Sequence, residues 1–336
     1  MKTRAKLLTV LFMIMMGFTT HSFAQKSIVR KYGQLSVKGN YIVGQYGDTV
    51  QLRGMSLFWS QWMGQYYNEQ TLTWLRDDWK CTIIRLAMGV DEEGGYKENP
   101  QEIYKIMDMV DAAINLGMYV IIDYHSHHAH KNPDLAIKFF SIMAKKYGKY
   151  PNVIYEIYNE PLQNTYWKSS IKPYAEKVIK AIREHDPDNI IVVGTRQWSQ
   201  MVSEAAADPI QDPNIAYTLH FYAVSHGQYL RDEAEKALKM GVALFVTEFG
   251  TCDYSGNGKF GPEETDEWFE FLDKYKISWC NWSVANKKET ASILLPVSDL
   301  SHWAETDLTP SGQYIRDELI RKNTPLLKGK KPKVQN

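Results

Sequence analysis

The chain has 336 residues, of which 44% are hydrophobic and 13% aromatic, so it can bury a large core. Its 39 basic and 39 acidic residues leave no formal net charge. Because binding to a polyanion requires a basic excess or stripe, this balance argues against nucleic acid as a partner. The length suits one α/β barrel domain, which often runs to about 250 residues or more.

The first 24 residues have the pattern of a signal peptide. Residues 2–6 carry three positive charges, residues 7–18 form an apolar run, and residues 22–24 offer small side chains for cleavage before Gln25. The apolar run is shorter than the roughly 20 residues that span a bilayer, which disfavours a membrane anchor. We therefore expect a secreted protein, extracellular or periplasmic, with no membrane association after cleavage.

Strand and helix signals alternate along the rest of the chain. A short hairpin comes first, with residues 35–37 and 41–43 joined by a Gly39-Asn40 turn. Eight short apolar segments rich in Ile and Val follow, as expected for strands buried on both faces. These segments are residues 50–55, 82–87, 119–123, 153–158, 190–193, 215–219, 244–247 and 277–280.

Amphipathic helical segments lie between the strands, and Gly117 and Gly241 occupy helix C-cap positions. The clearest of these segments are residues 101–116, 135–147, 171–184 and 231–240. Such alternation gives either a closed barrel or a doubly wound open sheet. Polar residues collect just after nearly every strand, and only a barrel brings all strand ends to one face. We predict an α/β fold, a (β/α)8 TIM barrel with a short N-terminal β-hairpin, over residues 25–325, followed by a basic, solvated tail (326–336).

Three cysteines, an odd number, form no disulfide framework in an exported protein. Cys81 and Cys280 lie within apolar, strand-like runs, which predicts buried thiols. Cys252 follows Glu248 closely, but no histidine lies near it in the sequence, so we do not expect a nucleophilic thiol.

Two glutamates end strand-like runs in the same way. Glu160 closes the run Ile157-Tyr-Asn-Glu-Pro161, and Glu248 closes Phe245-Val-Thr-Glu. A buried carboxylate needs a partner, so either glutamate alone could equally be a structural, salt-bridged residue. A pair at one barrel face is what glycoside hydrolysis needs, with one group protonating the leaving oxygen. Repulsion and partial burial are expected to raise the pKa of one glutamate; Arg85 and Tyr222 can hold the other ionised.

The sequence resembles glycoside hydrolase family 5, and within it the bacterial endo-β-1,4-glucanases. The similarity covers roughly residues 35–320. It is carried, in the family's order, by RGMSLFWSQW, TIIRLAM, VIIDYHSH, VIYEIYNEP, IIVVGTRQWSQ, YTLHFYA, FVTEFGT and SWCNWSVANKKE.

The resemblance implies a retaining double displacement with Glu160 as general acid/base and Glu248 as nucleophile. Asn159 would hold the sugar 2-hydroxyl, and Arg85 and Tyr222 would keep Glu248 ionised and aimed. Internal β-1,4-glucosidic bonds of cellulose or related β-glucans are the implied substrate. Mannan and xyloglucan remain alternatives within the family.

Further residues match the substrate cleft of the family. His125 and His220 would bond sugar hydroxyls and the two carboxylates. Trp282 would lie beneath a sugar on the non-reducing side, with Lys287 and Glu289 reaching its hydroxyls. Trp62 and Trp198 match other stacking positions, Trp198 on the leaving-group side; flat rings suit the apolar faces of a pyranose.

Two features depart from the family pattern. Residues 56–59 lack the histidine that often follows the first strand, so that contact is unassigned. Arg196 occupies a position where smaller residues are usual, and it can either restrict or add a contact on the leaving-group side.

The run Asp123–His130 contains four of the nine histidines, including His127 and His128. Alternating histidines after a barrel strand are also how metal-dependent amidohydrolases hold zinc, with His220 and Asp123 as further ligands here. Those ligands usually follow the first strand, whereas this run follows the third. We therefore expect no metal and no other cofactor, and treat His127, His128 and His130 as a polar loop near the cleft. A sugar-binding module without catalysis is a third reading, which the presence of both glutamates disfavours.

Overall fold

The computed structural model describes residues 27–296 and 303–328. Helix α1 (Ile28–Tyr32) and an antiparallel hairpin of β1 (Ser36–Lys38) and β2 (Tyr41–Val43) come first. Eight parallel strands then form a closed barrel in which the last strand pairs with the first. They are β3 (Arg53–Leu57), β4 (Ile83–Gly89), β5 (Tyr119–His125), β6 (Val153–Glu156), β7 (Ile191–Val193), β8 (Ile215–Tyr222), β9 (Ala243–Gly250) and β10 (Ser278–Val284).

Helices connect successive strands and surround the barrel. They are α2 (Glu69–Asp77), α3 (Glu102–Leu116), α4 (Pro133–Tyr147), α5 (Lys172–Arg183), α6 (Arg196–Ser199), α7 (Val202–Ala207), α8 (Gln228–Lys239), α9 (Pro262–Tyr275) and α10 (Pro310–Lys328). Gly117 caps α3 in the left-handed conformation with φ 69°, as predicted. No helix of these described ranges is long and apolar enough to cross a membrane. The predicted α/β barrel and its N-terminal hairpin are confirmed.

Side chains alternate along each strand, and this alternation separates two cores. One face of the strands packs against the helices, for example Ile122 of β5. The other face fills the barrel, as Ile121 does beside Ile83 of β4 and Ile154 of β6. Three residues of α1 and the hairpin region, Tyr32, Leu35 and Ile42, pack against this inner set and close the barrel at its N-terminal end.

Along the inner face the residue type changes from apolar to polar toward the C-terminal end of the strands. In β5, Tyr119 and Ile121 belong to the inner apolar core, and Asp123 and His125 follow at the same spacing of two. In β8, Ala216 is followed by Thr218 and His220 in the same way. The sequence therefore builds an apolar barrel with a polar C-terminal mouth, where the active sites of this fold lie.

Several boundaries differ from the sequence expectation. Strands β5, β8, β9 and β10 continue beyond their predicted ends, so His125, Tyr222, Glu248 and Trp282 lie within strands rather than after them. Helix α10 extends to Lys328, two residues past the predicted start of the tail at 326. The predicted signal peptide (1–24) and the predicted tail beyond residue 328 lie outside the described residues. Cys81, Cys252 and Cys280 are all buried free thiols.

Candidate active site

Arg85 lies at the centre of the polar mouth and is completely buried. Its Nη1 donates to Glu248 Oε2 at 3.0 Å and its Nε to Glu156 Oε2 at 2.7 Å. Its Nη2 lies 2.9 Å from Asp123 Oδ2 and 2.6 Å from Asn159 Oδ1. Burial lowers the pKa of Arg85, but the carboxylates of Asp123, Glu156 and Glu248 outweigh it and raise that pKa well above its usual value.

Both oxygens of Glu248 accept hydrogen bonds from side chains of the barrel mouth. Arg85 occupies Oε2, and the Tyr222 hydroxyl donates to Oε1 at 3.0 Å. Hydrogen bonds of this kind favour the charged form of a carboxylate and fix its direction. Arg85, Tyr222 and Glu248 thus form the contacts that the sequence predicted.

A β-bulge in β9 brings Glu248 to this position. Thr218 and His220 of β8, two residues apart, pair with Phe245 and Glu248, which are three apart. On the other side, Trp279 and Asn281 of β10 pair with Val246 and Phe249, again two against three. The extra residue lets Thr247 and Glu248, neighbours in sequence, both direct their side chains inward.

Glu160 lies in the loop after β6 and is held by two histidines. His220 Nδ1 lies 2.9 Å from Glu160 Oε1, and His127 Nε2 lies 3.2 Å from Oε2. One oxygen of Glu160, one of Glu248 and a nitrogen of His220 lie within 4.8 Å of one another. The two glutamates therefore face each other across a short gap.

The pKa of Glu160 differs from the expectation that burial and repulsion would raise the pKa of one glutamate. Burial does raise it, but the hydrogen bonds from His127 and His220 outweigh burial and hold the pKa well below its usual range. The same contacts raise the pKa of both histidines, although burial opposes the change. Within this cluster the two imidazoles therefore bind a proton more readily than Glu160 does.

The two remaining predicted polar residues of the mouth also lie beside Arg85. His125 Nδ1 lies 2.7 Å from Asp123 Oδ2. Burial and the nearby Arg85 lower the pKa of His125 to about 3, so its ring is neutral at ordinary pH. The buried Asn159 Nδ2 has no hydrogen-bond partner among the described residues, while Oδ1 is held by Arg85. An unpaired buried donor is costly, which suits a group that awaits a ligand hydroxyl.

The aromatic residues divide into a buried and an exposed set. Trp282 is 6% exposed and contacts Phe58 (5.0 Å between centroids) and His125 (5.4 Å, parallel rings). Trp62 and Trp198 are 48% and 40% exposed, so both offer ring surface to a ligand. Phe58 follows β3 in the segment where the sequence lacks the usual histidine.

Lys287 and Glu289 form an ion pair at 2.7 Å, and the Lys287 ammonium lies 4.6 Å from the centre of the Phe58 ring. Because Phe58 also contacts Trp282, the pair lies beside the aromatic side of the mouth. Both residues therefore lie near Trp282, and their contact with sugar hydroxyls stays a prediction.

Arg196 does not extend freely into solvent. Its guanidinium is paired with Glu204, and Nη1 donates to the Gln163 carbonyl at 3.1 Å. It also lies 5.8 Å from the centre of the exposed Tyr166 ring. Arg196 therefore joins the loops after β6 and β7, beside Trp198.

The histidine run does not converge on one point. His125 contacts Asp123, His127 contacts Glu160, and His130 Nδ1 lies 2.7 Å from the Tyr158 hydroxyl. His128 is partly buried, and its backbone N–H donates to Ser126 Oγ. Of the run, only His125 and His127 belong to the cleft.

Sequence reasoning missed four functional neighbours: Asp123 (considered only as a metal ligand), Glu156, Thr247 and Trp59. Trp59 packs edge-on against His125 at 4.2 Å and stacks on Trp62 at 5.0 Å. Asp123 and Glu156 follow the inner apolar residues Ile121 and Ile154 at a spacing of two. That alternation within the buried strands was the available signal.

Two glutamates face each other across a short gap at the mouth of an eight-stranded barrel, one held by an arginine and the other by two histidines, with aromatic rings beside them. This arrangement defines a barrel hydrolase of the glycosidase class. The chain belongs to the cellulase family, glycosyl hydrolase family 5, whose model matches residues 43–288. It is 51% identical to endoglucanase Z of Dickeya dadantii over 287 residues, 84% of this chain and 65% of that protein. It spans between 57% and 66% of the length of this and three other endoglucanases that it matches.

Solved structures give the same result. A structure from Cytophaga hutchinsonii is 66% identical, with a TM-score of 0.89 over 90% of this chain and 99% of that one. The catalytic domain of Thermobifida fusca endoglucanase Cel5A, in complex with cellotetraose, is 36% identical, with a TM-score of 0.83 over 87% and 99%. The predicted family is therefore confirmed.

Proposed function

We propose that this protein is a secreted, retaining endo-β-1,4-glucanase. The observation that carries the proposal is the pair Glu160 and Glu248, with carboxylate oxygens within 4.8 Å. A retaining mechanism uses carboxyl groups about 5–5.5 Å apart, whereas an inverting one needs about 6.5–9.5 Å to admit a water. The short separation supports double displacement.

Glu248 is the nucleophile. Arg85 and Tyr222 donate hydrogen bonds to its two carboxylate oxygens and direct the carboxylate across the gap. One of its oxygens attacks the anomeric carbon while the bond from that carbon to the leaving oxygen breaks, which gives a covalent glycosyl-enzyme.

Glu160 is the general acid and then the general base. It donates a proton to the leaving oxygen in the first step. In the second step it takes a proton from water, whose oxygen attacks the anomeric carbon and releases Glu248. His127 and His220, within 3.2 Å and 2.9 Å of Glu160, hold the proton of the free site nearby.

The remaining residues hold the sugar. Asn159 Nδ2, unpaired in the described residues, donates to the 2-hydroxyl, a contact that strengthens in an oxocarbenium-like transition state. Trp282, His125, Lys287 and Glu289 form the non-reducing side of the cleft. Trp62 and Trp198 supply exposed stacking surface, Trp198 on the leaving-group side.

Unsubstituted β-1,4-glucan is the proposed substrate. The relatives are named endoglucanases, and the Thermobifida fusca structure contains cellotetraose. The same two glutamates would serve mannan or xyloglucan equally, so substrate preference is an outcome of the test. We propose that residues 1–24 direct export to the periplasm or medium. Retention of the precursor mass in the cytoplasm would contradict that proposal.

The test is release of reducing sugar from carboxymethylcellulose by the purified protein, with and without EDTA. We expect turnover that survives chelation and falls by at least about 10³-fold in Glu248→Gln, because the covalent step is lost. Glu160→Gln is the matched variant: it should keep oligosaccharide binding and lose most turnover. Near-native rates in either variant would contradict its assigned role. Chelator-sensitive turnover would instead favour a metal-dependent reaction at the histidine run, and activity on mannan or xyloglucan alone would reassign the substrate.

A further inference from the structure

A chain of buried polar groups lies behind Glu160. Glu156 Oε1 accepts a hydrogen bond from the Thr247 hydroxyl at 2.7 Å. The same hydroxyl lies 2.9 Å from His220 Nε2, and His220 Nδ1 lies 2.9 Å from Glu160 Oε1. Glu156, Thr247 and His220 are each no more than 2% exposed, so no bulk water competes for these contacts.

Glu156, the member of the chain of groups farthest from Glu160, determines which atoms donate and which accept. Arg85 donates Nε to Glu156 Oε2 at 2.7 Å and Nη2 to Oε1 at 3.1 Å, so both oxygens of Glu156 act as acceptors. The single hydroxyl hydrogen of Thr247 points to this carboxylate, which is a stronger acceptor than the neighbouring Thr218 hydroxyl. Only lone pairs of Thr247 then remain for His220, and Nε2 must carry a hydrogen.

We propose that Thr247, backed by Glu156, fixes the tautomer of His220 and thereby makes His220 Nδ1 and Glu160 share the proton that reaches the leaving group. With Nε2 permanently protonated, Nδ1 and Glu160 Oε1 have one hydrogen between them. It lies on Nδ1 as an ion pair, or on Glu160 beside a neutral imidazole. Thr247 is a positioning residue, and this role rests on the proposed function of Glu160 as general acid/base.

Bond changes balance without another reactant. The shared hydrogen moves onto Glu160, and the Glu160 O–H bond breaks as the leaving oxygen gains the hydrogen. The bond from that oxygen to the anomeric carbon breaks while Glu248 forms its bond to the same carbon. In the second step the oxygen of a water replaces Glu248 on that carbon, and one proton of the water returns to the Glu160 and His220 pair. Burial alone would lower the pKa of His220 and raise that of Glu160. The pKa of His220 is nevertheless raised and that of Glu160 lowered, which agrees with a shared proton. The charged or titratable groups facing the pair are Glu248, Arg85, Asp123, Glu156, His127, His125, Tyr222 and His226.

The experiment compares Thr247→Val, which removes the hydroxyl at nearly constant volume, with Thr247→Ser, which keeps it. Rates are measured against pH with cellotetraose and with 2,4-dinitrophenyl β-cellobioside, whose leaving group needs no proton. For Thr247→Val we expect a loss of at least about tenfold in kcat/KM on cellotetraose and less than about threefold on the activated substrate. Without the Thr247 oxygen as acceptor, the hydrogen of the neutral imidazole stays on Nδ1 and Nε2 carries none. A second proton on Nε2 would then have no partner, so the alkaline limb of the pH–rate profile should move to lower pH. Thr247→Ser should restore both rate and profile.

Thr251→Val is the matched control. Thr251 is equally buried just beyond β9, but its hydroxyl bonds Ser311 outside the chain of groups, so its pH profile should stay native. Thermal unfolding is recorded for each variant, and Thr247→Ala replaces the valine variant if that one does not fold. Equal rates and equal pH profiles for the threonine, valine and serine forms at position 247 would overturn the proposal. If Glu160→Gln loses cellotetraose turnover in that same experiment, the proposed function stands and only the role of Thr247 fails.

Discussion

Glu160 has a histidine on each carboxylate oxygen, and its acid–base behaviour follows from that arrangement. The pKa of Glu160 is lowered and that of His220 is raised, so the imidazole binds a proton more readily than the carboxylate. Its environment thus differs from that of an isolated buried glutamate, whose pKa rises because no hydrogen bond or positive charge offsets the cost of desolvation. A proton that resides on a neighbour at 2.9 Å remains available to the leaving oxygen.

The contact between His127 and Glu160 should stabilise the fold only within a pH window. The pKa of His127 is raised, so its contribution is complete below the unfolded value of about 6.5 and is lost as pH rises through the folded value. The pKa of Glu160 is lowered, so its contribution is complete above about 4.5 and is lost at lower pH. A double-mutant cycle of His127→Asn and Glu160→Gln, measured by urea unfolding, should give a coupling of about 1 kcal/mol at pH 5.5. At pH 9 the coupling should disappear. A coupling of equal size at both values would show that the contact is not ionic.

The two glutamates that face the cleft were predictable from the sequence, and the residues that support them were not. Glu160 and Glu248 stand out because carboxylates end apolar runs. Glu156 and Thr247 lie inside such runs, where a lone polar residue is equally consistent with a strand end or a helix-facing position. Their role depends on the bulge in β9, which changes which neighbours of Glu248 face inward. No local pattern in Phe245–Glu248 indicates that extra residue.

At the scale of elements, Arg85 joins its own strand to four others, three of them through charge. From β4 it contacts Asp123 of β5, Glu156 of β6, Glu248 of β9 and the Ser56 hydroxyl of β3. Two of the three carboxylates are completely buried and the third nearly so. Because each charge would be costly without its partner, the strands and the site depend on the same residue.

Replacing Arg85 by Met should therefore destabilise the barrel as well as inactivate it. Three buried carboxylates would lose their common counter-charge, and we expect a loss of about 3–5 kcal/mol in the free energy of unfolding. Urea unfolding at pH 7 provides the measurement. Arg321→Met is the matched control, since Arg321 pairs with Glu318 on the surface of α10 and should change stability by less than about 1 kcal/mol. Similar losses for the two variants would contradict a structural role for the buried network.

The order and type of the elements followed from the sequence, whereas several strand ends did not. Runs of Ile and Val located all eight barrel strands, because both faces of such strands are buried. The predicted ends fell where polar residues begin, yet β5, β8 and β9 continue through His125, Tyr222 and Glu248. Inside a closed barrel a polar residue at the mouth does not end pairing, since its side chain faces the cleft while the backbone ladder continues.

At the scale of the whole molecule, stability and chemistry occupy opposite ends of the barrel. The N-terminal end is filled by an apolar core and covered by α1 and the hairpin region. Tyr119 adds a hydrogen bond there, from its hydroxyl to the Gly33 carbonyl at 2.7 Å. The polar network lies at the C-terminal mouth, so substitutions at the covered end should affect folding without reaching the substrate.

Leu35→Ala tests this separation. Leu35 is 2% exposed and packs between the hairpin and the inner core, so its truncation should leave a cavity and lower the free energy of unfolding by about 2–4 kcal/mol. At 25 °C the folded variant should keep the native kcat, KM and pH profile, because the residue lies at the end of the barrel opposite Glu160 and Glu248. Tyr46→Ala, which removes an exposed ring from the loop after β2, is the control and should change neither property. A shift in KM or in the pH profile of Leu35→Ala, with the variant still folded, would mean that the covered end transmits strain through the inner core to the mouth. In that case the packing at the N-terminal end of the barrel and the geometry of the active site at the C-terminal mouth would be coupled rather than independent.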